Sequence, residues 1–255
     1  MTKHESSAIT LSTVDAVKAR TEMFNMLGSY PATPEETERS LGLFLRGSLL
    51  ARILGVQEVY EQIVDLPGII VDVGTWRGQT AVLCENFRAI YEPLNFNRRI
   101  LCLDTFEGYK GFGDKDNPTT LHQDGTYGVG GEQYVAFLQH LLELHERSNA
   151  MGHICGKHTV IAGDCCETLP RFFEEQPNEV VALAFFDLNC YEPTKDAFER
   201  IYRRLVPGGI VAFWQLTRGN AIQAEGRYYA EEVIGKLDHT VKRAASYPGL
   251  CYLKK

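Results

Sequence analysis

GIIVDVGTWRG, residues 68–78, is the stretch that decides the architecture. A β-branched apolar run ends in an acid, Asp72, and a glycine, Gly74, and a helix-forming segment follows from about Gly78 to Tyr91. A short continuous apolar run of this kind marks a strand buried on both faces. The unit recurs downstream. RRILCLD (98–104), HTVIAGD (158–164), VVALAFFD (180–187) and GGIVAFWQL (208–216) are strand-like, with helical segments near 131–147, 167–175, 193–205 and 227–237. HTVKRAA and GLCYLKK, joined through SYPG, form a closing hairpin. Strands alternating with helices predict an α/β fold: a mostly parallel, seven-stranded sheet with helices on both faces.

Upstream lies an N-terminal helical extension, residues 1–66, ahead of the α/β domain at 67–255. A helix is predicted over 14–27. Thr33 caps the next, with Pro34 at its first position and Glu36 three residues after the cap. Leu41, Phe44, Leu45, Leu49 and Ile53 continue that helix at close to a 3.6-residue period, and a third runs from about 56 to 65.

Composition excludes several function classes. The 255 residues carry a net charge of −7, with 44% hydrophobic and 23% charged residues. The acids are spread along the chain, and a nucleic-acid surface would need a basic stripe. The first ten residues, MTKHESSAIT, lack a signal-peptide core, and no apolar run approaches the roughly 18 residues of a membrane span. A cytoplasmic protein with a small-molecule ligand is expected. The seven cysteines include no CxxC pair and read as reduced packing thiols. HICGKH (153–158) lacks the second half of a zinc site, so no metal is expected there.

In a doubly wound sheet, ligands bind outside the carboxyl ends of the strands. Asp72, Asp104, Asp164 and Asp187 each close a predicted strand. Each alone also fits a helix cap or a turn. Together they line one edge with negative charge. The first turn has only Gly74 and Gly78, separated by Thr75 to Arg77, so it is not the GxGxxG of a pyrophosphate site. Carboxylates suit a cationic ligand, and S-adenosyl-L-methionine carries a sulfonium and an ammonium. Asp104 is placed for ribose hydroxyls and Asp164 for the adenine end.

PGIIVDVGTWRGQT, LDTFEGYKGF, GDCCETLP and FFDLNCYEPTKDAFERIYRRLVPGGIVAF together resemble class I S-adenosylmethionine-dependent methyltransferases. More narrowly they resemble the macrocin O-methyltransferase family, which acts on sugar hydroxyls in bacterial natural products. The resemblance spans about residues 67–213 and implies a Rossmann-like fold, a small-molecule acceptor and a homo-oligomer. It places Asp72, Gly74 and Thr75 at the methionine end of the cofactor. Asp104, Thr105 and Phe106 fall on the ribose and adenine-facing turn, Gly163 and Asp164 on the adenine side. Asp187 matches the first acid of a D-x-D-x-Y-E pattern and contributes to the family's magnesium site; the second acid, which can serve as base, is Asn189 here. The family's pair of acids after PGGxxxF is replaced by Trp214 and Gln215. One remaining carboxylate is a poor magnesium site, since that ion prefers several hard anionic oxygens.

For the chemistry, Asp187 is the candidate base or orienter, or else it only contacts the cofactor or caps the following helix. His122, in the loop over 105–130, is a second candidate base or an exposed histidine. Tyr127, Tyr191, Trp214 and Gln215 are candidates for the acceptor side, with packing an equal option for Trp214. Glu225 and Arg227 either point into the same cleft or sit at an exposed helix start, the safer of the two readings. Met23, Phe24, Leu27 and Phe44 supply an interface or pack on the domain. The readings that remain are O-methylation of a sugar or similar scaffold without magnesium, N-methylation of an amine, and a repurposed cofactor-binding protein.

Overall fold

The computed structural model describes residues 13–116, 123–216 and 224–255. It divides into two compact units, Met1–Ile53 and Leu54–Lys255.

The first unit holds helix α1 (Val14–Gly28), the short α2 (Pro34–Arg39), a 3₁₀ turn (Leu41–Phe44) and the start of α3 (Gly47–Glu61). Thr33 and Glu36 form a reciprocal capping box at α2, with Pro34 in its first turn. The single helix expected through Leu41 and Ile53 is broken twice, after Arg39 and at Leu45. Ser40 closes α2 through its own backbone N–H, and Leu45 takes an extended conformation. The apolar period therefore spans two helices and a turn. The third helix is α3, which starts nine residues before the expected 56. Within this unit Tyr30 meets Phe44 edge to face, and Met23, Met26, Pro31 and Leu43 line a hollow with them of about 330 Å³.

In the second unit the described residues form one seven-stranded sheet: β1 (Ile69–Val73), β2 (Ile100–Asp104), β3 (Thr159–Ala162), β4 (Val181–Phe186), β5 (Leu205–Phe213), β6 (Thr240–Arg243) and β7 (Cys251–Lys254). The order is β3-β2-β1-β4-β5-β7-β6, parallel except for antiparallel β7 against β5 and β6. Every residue of β1 and β4 is buried, whereas the edge strands β3 and β6 are largely exposed. This is why the central strands read as unbroken apolar runs. Helices α4 (Gln79–Tyr91), α5 (Glu132–Ser148), α6 (Cys165–Glu175) and α7 (Tyr191–Arg204) connect the strands. The final one, α8 (Ala224–Tyr228), runs into a π-type turn (Tyr229–Val233), shorter than the 227–237 expected. Strand β5 starts at Leu205, before the Pro-Gly-Gly; a register irregularity between Val181 and Leu183 absorbs those residues. No helix among the described residues is long and apolar enough to cross a membrane.

Two buried ionic clusters brace one side. Arg98, fully buried, donates to Glu92 and to the carbonyls of Ile63 and Leu66, and so fixes the approach to β1. Glu85 of α4 accepts from Arg88 at 2.7 Å and bonds the ring of His158 at 3.0 Å, while Lys157 pairs with Glu146 of α5 at 2.6 Å. The cluster ties α4 and α5 to the entry of β3. Burial alone would raise the Glu85 pKa, but hydrogen bonds and charge from Arg88, His158 and Lys157 outweigh it and lower it to about 2. The native state thus favours the carboxylate. Its stabilisation is present above the unfolded value of 4.5 and is lost as pH falls through about 2. Glu85→Gln is expected to lower stability at pH 7 by about 3 kcal/mol. Urea titration across pH 2–7 should show the difference between variant and parent shrinking toward the acid end.

Candidate active site

The strand order reverses direction between β1 and β4, so the crevice lies at their carboxyl ends. Asp72 is buried inside β1, fourth of its five residues, beside the thiols of Cys84 and Cys102. Gly74 follows with φ +83°, and a Cβ on it would lie 2.5 Å from the carbonyl oxygen of Asp187. Only glycine permits that approach. Thr75 turns its hydroxyl back to the Asp72 carbonyl at 2.7 Å.

Asp104 closes β2. One carboxylate oxygen accepts the backbone N–H of Trp76 and the other that of Phe106, both at 2.7 Å. Burial raises its pKa, and the two N–H groups oppose the shift. Each oxygen keeps lone-pair capacity beyond its backbone bond. Asp104 thereby ties the loop after β1 to the loop after β2. Thr105 bonds the Gly108 carbonyl at 2.6 Å and shapes the same loop. Phe106 is fully buried against Tyr134. Gly163 (φ +133°) bonds the Asp104 carbonyl through its N–H. Asp164 caps α6 by accepting from Cys166, and lies near Cys165 and Cys166. The hydrogen bond with neighbouring Cys166, and then burial, push the Cys165 thiol up, so it is not poised to give a thiolate ligand.

On the other lip, Asp187 follows β4. Gln215 donates its side-chain amide to Asp187 at 3.3 Å. Asn189 donates its amide to the Tyr109 hydroxyl at 2.7 Å. Tyr109 meets Tyr127 edge to face, and Tyr127 meets Trp76 in the same way. A wall of three rings therefore links the Asn189 side of the crevice to the Asp104 side. Five non-glycine residues among those described have positive φ; four of them, Trp76, Phe106, Tyr127 and Asn189, belong to this wall or its supports. Backbone strain of this kind costs about 1–3 kcal/mol per residue and concentrates at functional sites.

Two expectations, for Glu225 and Tyr191, change, and for Trp214 the packing option holds. Glu225 is not at an exposed helix start: it is completely buried. Its carboxylate accepts the backbone N–H of Leu188 at 2.9 Å, Asn189 at 3.4 Å and Gln215 at 3.0 Å. Burial and the adjacent Asp187 push its pKa up to about 8, against those donors. Nothing local in QAEGRYY separates it from a solvated acid, because its donors come from residues up to 37 positions away. Trp214 is buried, stacked on Phe185 and edge-on to Tyr247, which is a packing role. Tyr191 is also buried, within the core cluster; its hydroxyl donates to Glu231 and its ring lies under Lys115, so it does not wall the crevice. Arg227, by contrast, is exposed as expected and pairs with Glu231. His122 lies outside the described residues.

Residues 49–240 match the family described as Macrocin-O-methyltransferase (TylF). The chain belongs to the macrocin O-methyltransferase family. It is 27% identical over 203 residues to an 8-demethyl-8-(2,3-dimethoxy-alpha-L-rhamnosyl)-tetracenomycin-C 4'-O-methyltransferase of Streptomyces olivaceus, covering 75% of this chain and 71% of that one. The structure of CalS11, a calicheamicin methyltransferase, superposes with a TM-score of 0.88 at 30% identity, over 100% of this chain and 98% of the other. An apo structure of CalS11, there named TDP-rhamnose 3'-O-methyltransferase, gives 0.80 at 29%, over 98% and 99%. The O-methyltransferase NovP, at 18% identity and a TM-score of 0.59 over 94% and 99%, shares the fold. This macrocin-family member is accordingly an S-adenosylmethionine-dependent methyltransferase of class I fold. The residues fit that cofactor: the turn after β1 is not a GxGxxG, and Asp104 at the end of β2 keeps acceptor capacity beyond its two backbone bonds.

Gly74→Ala places a methyl group against the Asp187 carbonyl in a left-handed backbone and is expected to weaken cofactor-product binding at least tenfold by calorimetry. Asp104→Ala removes the acceptor of two backbone N–H groups as well as the candidate ribose acceptor. A loss of about 2 kcal/mol in binding, roughly 30-fold in Kd, is expected.

Proposed function

We propose that this enzyme methylates a hydroxyl of a deoxyhexose of the rhamnose type, carried on a nucleotide or on a natural-product scaffold, without the family's magnesium. Two relatives support the acceptor: one is named for a rhamnosyl tetracenomycin, the other for TDP-rhamnose. The observation that carries the metal-free reading is the donor set around Asp187. Among the described residues Gln215 donates a neutral amide to it, while Asn189, where the family pattern has its second acid, spends its amide on Tyr109. The other carboxylate close by, Glu225, is sealed under three backbone N–H groups. A hard dication favours several anionic oxygens with water, and the described residues around Asp187 do not supply them.

When bound, S-adenosylmethionine supplies a methyl group already activated on a sulfonium. The protein's part is then to position, desolvate and deprotonate. Gly74 lets the β1 loop lie close to the β4 end, and Asp104 holds ribose hydroxyls with the lone pairs its backbone bonds leave over. Tyr109, Tyr127 and Trp76 cover the crevice and present ring faces to the acceptor. Asp187 accepts the proton of the attacking hydroxyl, and the Gln215 amide orients its carboxylate. Positioning of this kind is worth on the order of 7–11 kcal/mol in favourable intramolecular reactions. A second reading, transfer to an amino sugar, draws on the same single carboxylate, because an amine needs less help losing its proton.

Labelled S-adenosylmethionine with TDP-rhamnose, a rhamnosylated aglycone and an amino-sugar analogue, each with and without chelator, tests all three points. Turnover on a rhamnose hydroxyl, unchanged by chelator, is expected; inactivation by chelator and recovery with magnesium would overturn the metal-free reading. Asp187→Asn is expected to lower kcat by about 10²–10⁴ while KM for the cofactor changes little.

A further inference from the structure

The cluster that the methyl-transfer reading leaves unused is the buried Glu225 carboxyl behind the site. It collects three backbone N–H donors from two separate strand ends: Leu188 and Asn189 after β4, and Gln215 after β5. These residues frame Asp187. Leu188 and Asn189 follow it directly, and Gln215 reaches its carboxylate with the side-chain amide. Asn189 is held at φ 56°, a conformation a side-chain-bearing residue leaves unless its surroundings fix it. Its amide side chain is spent on Tyr109, so Glu225 and Tyr109 grip it from the backbone side and the side-chain side.

We propose that Glu225 is a positioning residue for the transfer step: its carboxylate clamps the β4 and β5 ends together and so aims Asp187 and the Asn189–Tyr109 pair at the acceptor. The proposal rests on the assignment of Asp187 to the proton-accepting role. Its geometry is specific to a carboxyl group with two oxygens. Both oxygens must accept, one from residues 188 and 189 and the other from 215. A glutamine offers one accepting oxygen and turns an NH₂ group toward a backbone N–H, so one arm of the clamp opens. An aspartate keeps both acceptors but draws them back by one methylene. Cofactor-side groups, Asp72 and Asp104 among them, make none of these bonds.

The test compares E225Q, E225D, D187N and the double variant D187N/E225Q, with S-adenosylmethionine and the rhamnose acceptor that the wild type turns over. Misplacement of a catalytic group by about 1 Å costs on the order of 100-fold. E225Q is expected to lose roughly 10- to 100-fold in kcat with cofactor KM and product affinity within about twofold of wild type. E225D is expected to recover part of that loss. The double variant is expected to be no slower than D187N, because the clamp acts through Asp187. A wild-type kcat for E225Q, a parallel loss of cofactor affinity, or losses that multiply in the double variant would each overturn the clamp. If E225Q does not fold, E225D decides: a wild-type rate with that retracted carboxylate overturns the proposal, and a reduced rate with intact cofactor affinity supports it. A wild-type rate for D187N would instead remove the role given to Asp187.

Discussion

The backbone of Gly74 passes so close to the carbonyl of Asp187 that no side chain fits between them. That approach follows from the parallel pairing of β1 with β4, which continues past the last strand residues through the hydrogen bond from the Asp187 N–H to Val73. Two neighbouring strands whose onward connections leave in opposite directions open a crevice at that point of the sheet edge. Each lip then hangs on a carboxylate that collects backbone N–H groups from two loops. Asp104 joins the loops after β1 and β2; Glu225 joins those after β4 and β5.

These two acids make a symmetrical scheme on either side of the crevice. A backbone N–H at a strand end has lost its ladder partner and needs an acceptor when it is buried. A carboxylate serves two or three such donors at once, and so sets loop against loop without a long connecting element. The same device explains why left-handed conformations are tolerated at Trp76, Phe106 and Asn189: the backbone N–H of each is accepted by Asp104 or Glu225. The aromatic wall of Tyr109, Tyr127 and Trp76 rests on those fixed points.

Around Asp187 this chain departs from the family pattern, with Asn189, Trp214 and Gln215 in place of acids. The Gln215 amide donates to the Asp187 carboxylate, and in the function proposed above that bond orients it. The buried Glu225 carboxyl lies behind the site; burial and Asp187 raise its pKa to about 8, and backbone donors rather than a cation oppose that rise.

Much of this was legible in the chain itself. The unbroken apolar runs of β1, β4 and β5 gave their burial, because strands covered on both faces cannot alternate. The acids and glycines at their tips gave the edge where the crevice lies. The capping box at Thr33 and Glu36 was visible because its bonds span three residues. The period through Ile53 misled, since it marks a shared apolar side and does not reveal where the backbone leaves the helix, as it does after Arg39. Trp214 and Tyr191 sit beside Asp187 or Gln215 in sequence, yet the pleat and the first turn of α7 send their rings into the core. Glu225 was beyond reach for a different reason. Local pattern determines strands, caps and strand tips because the atoms involved are neighbours along the chain, whereas a buried acid is defined by donors that only the tertiary fold brings to it.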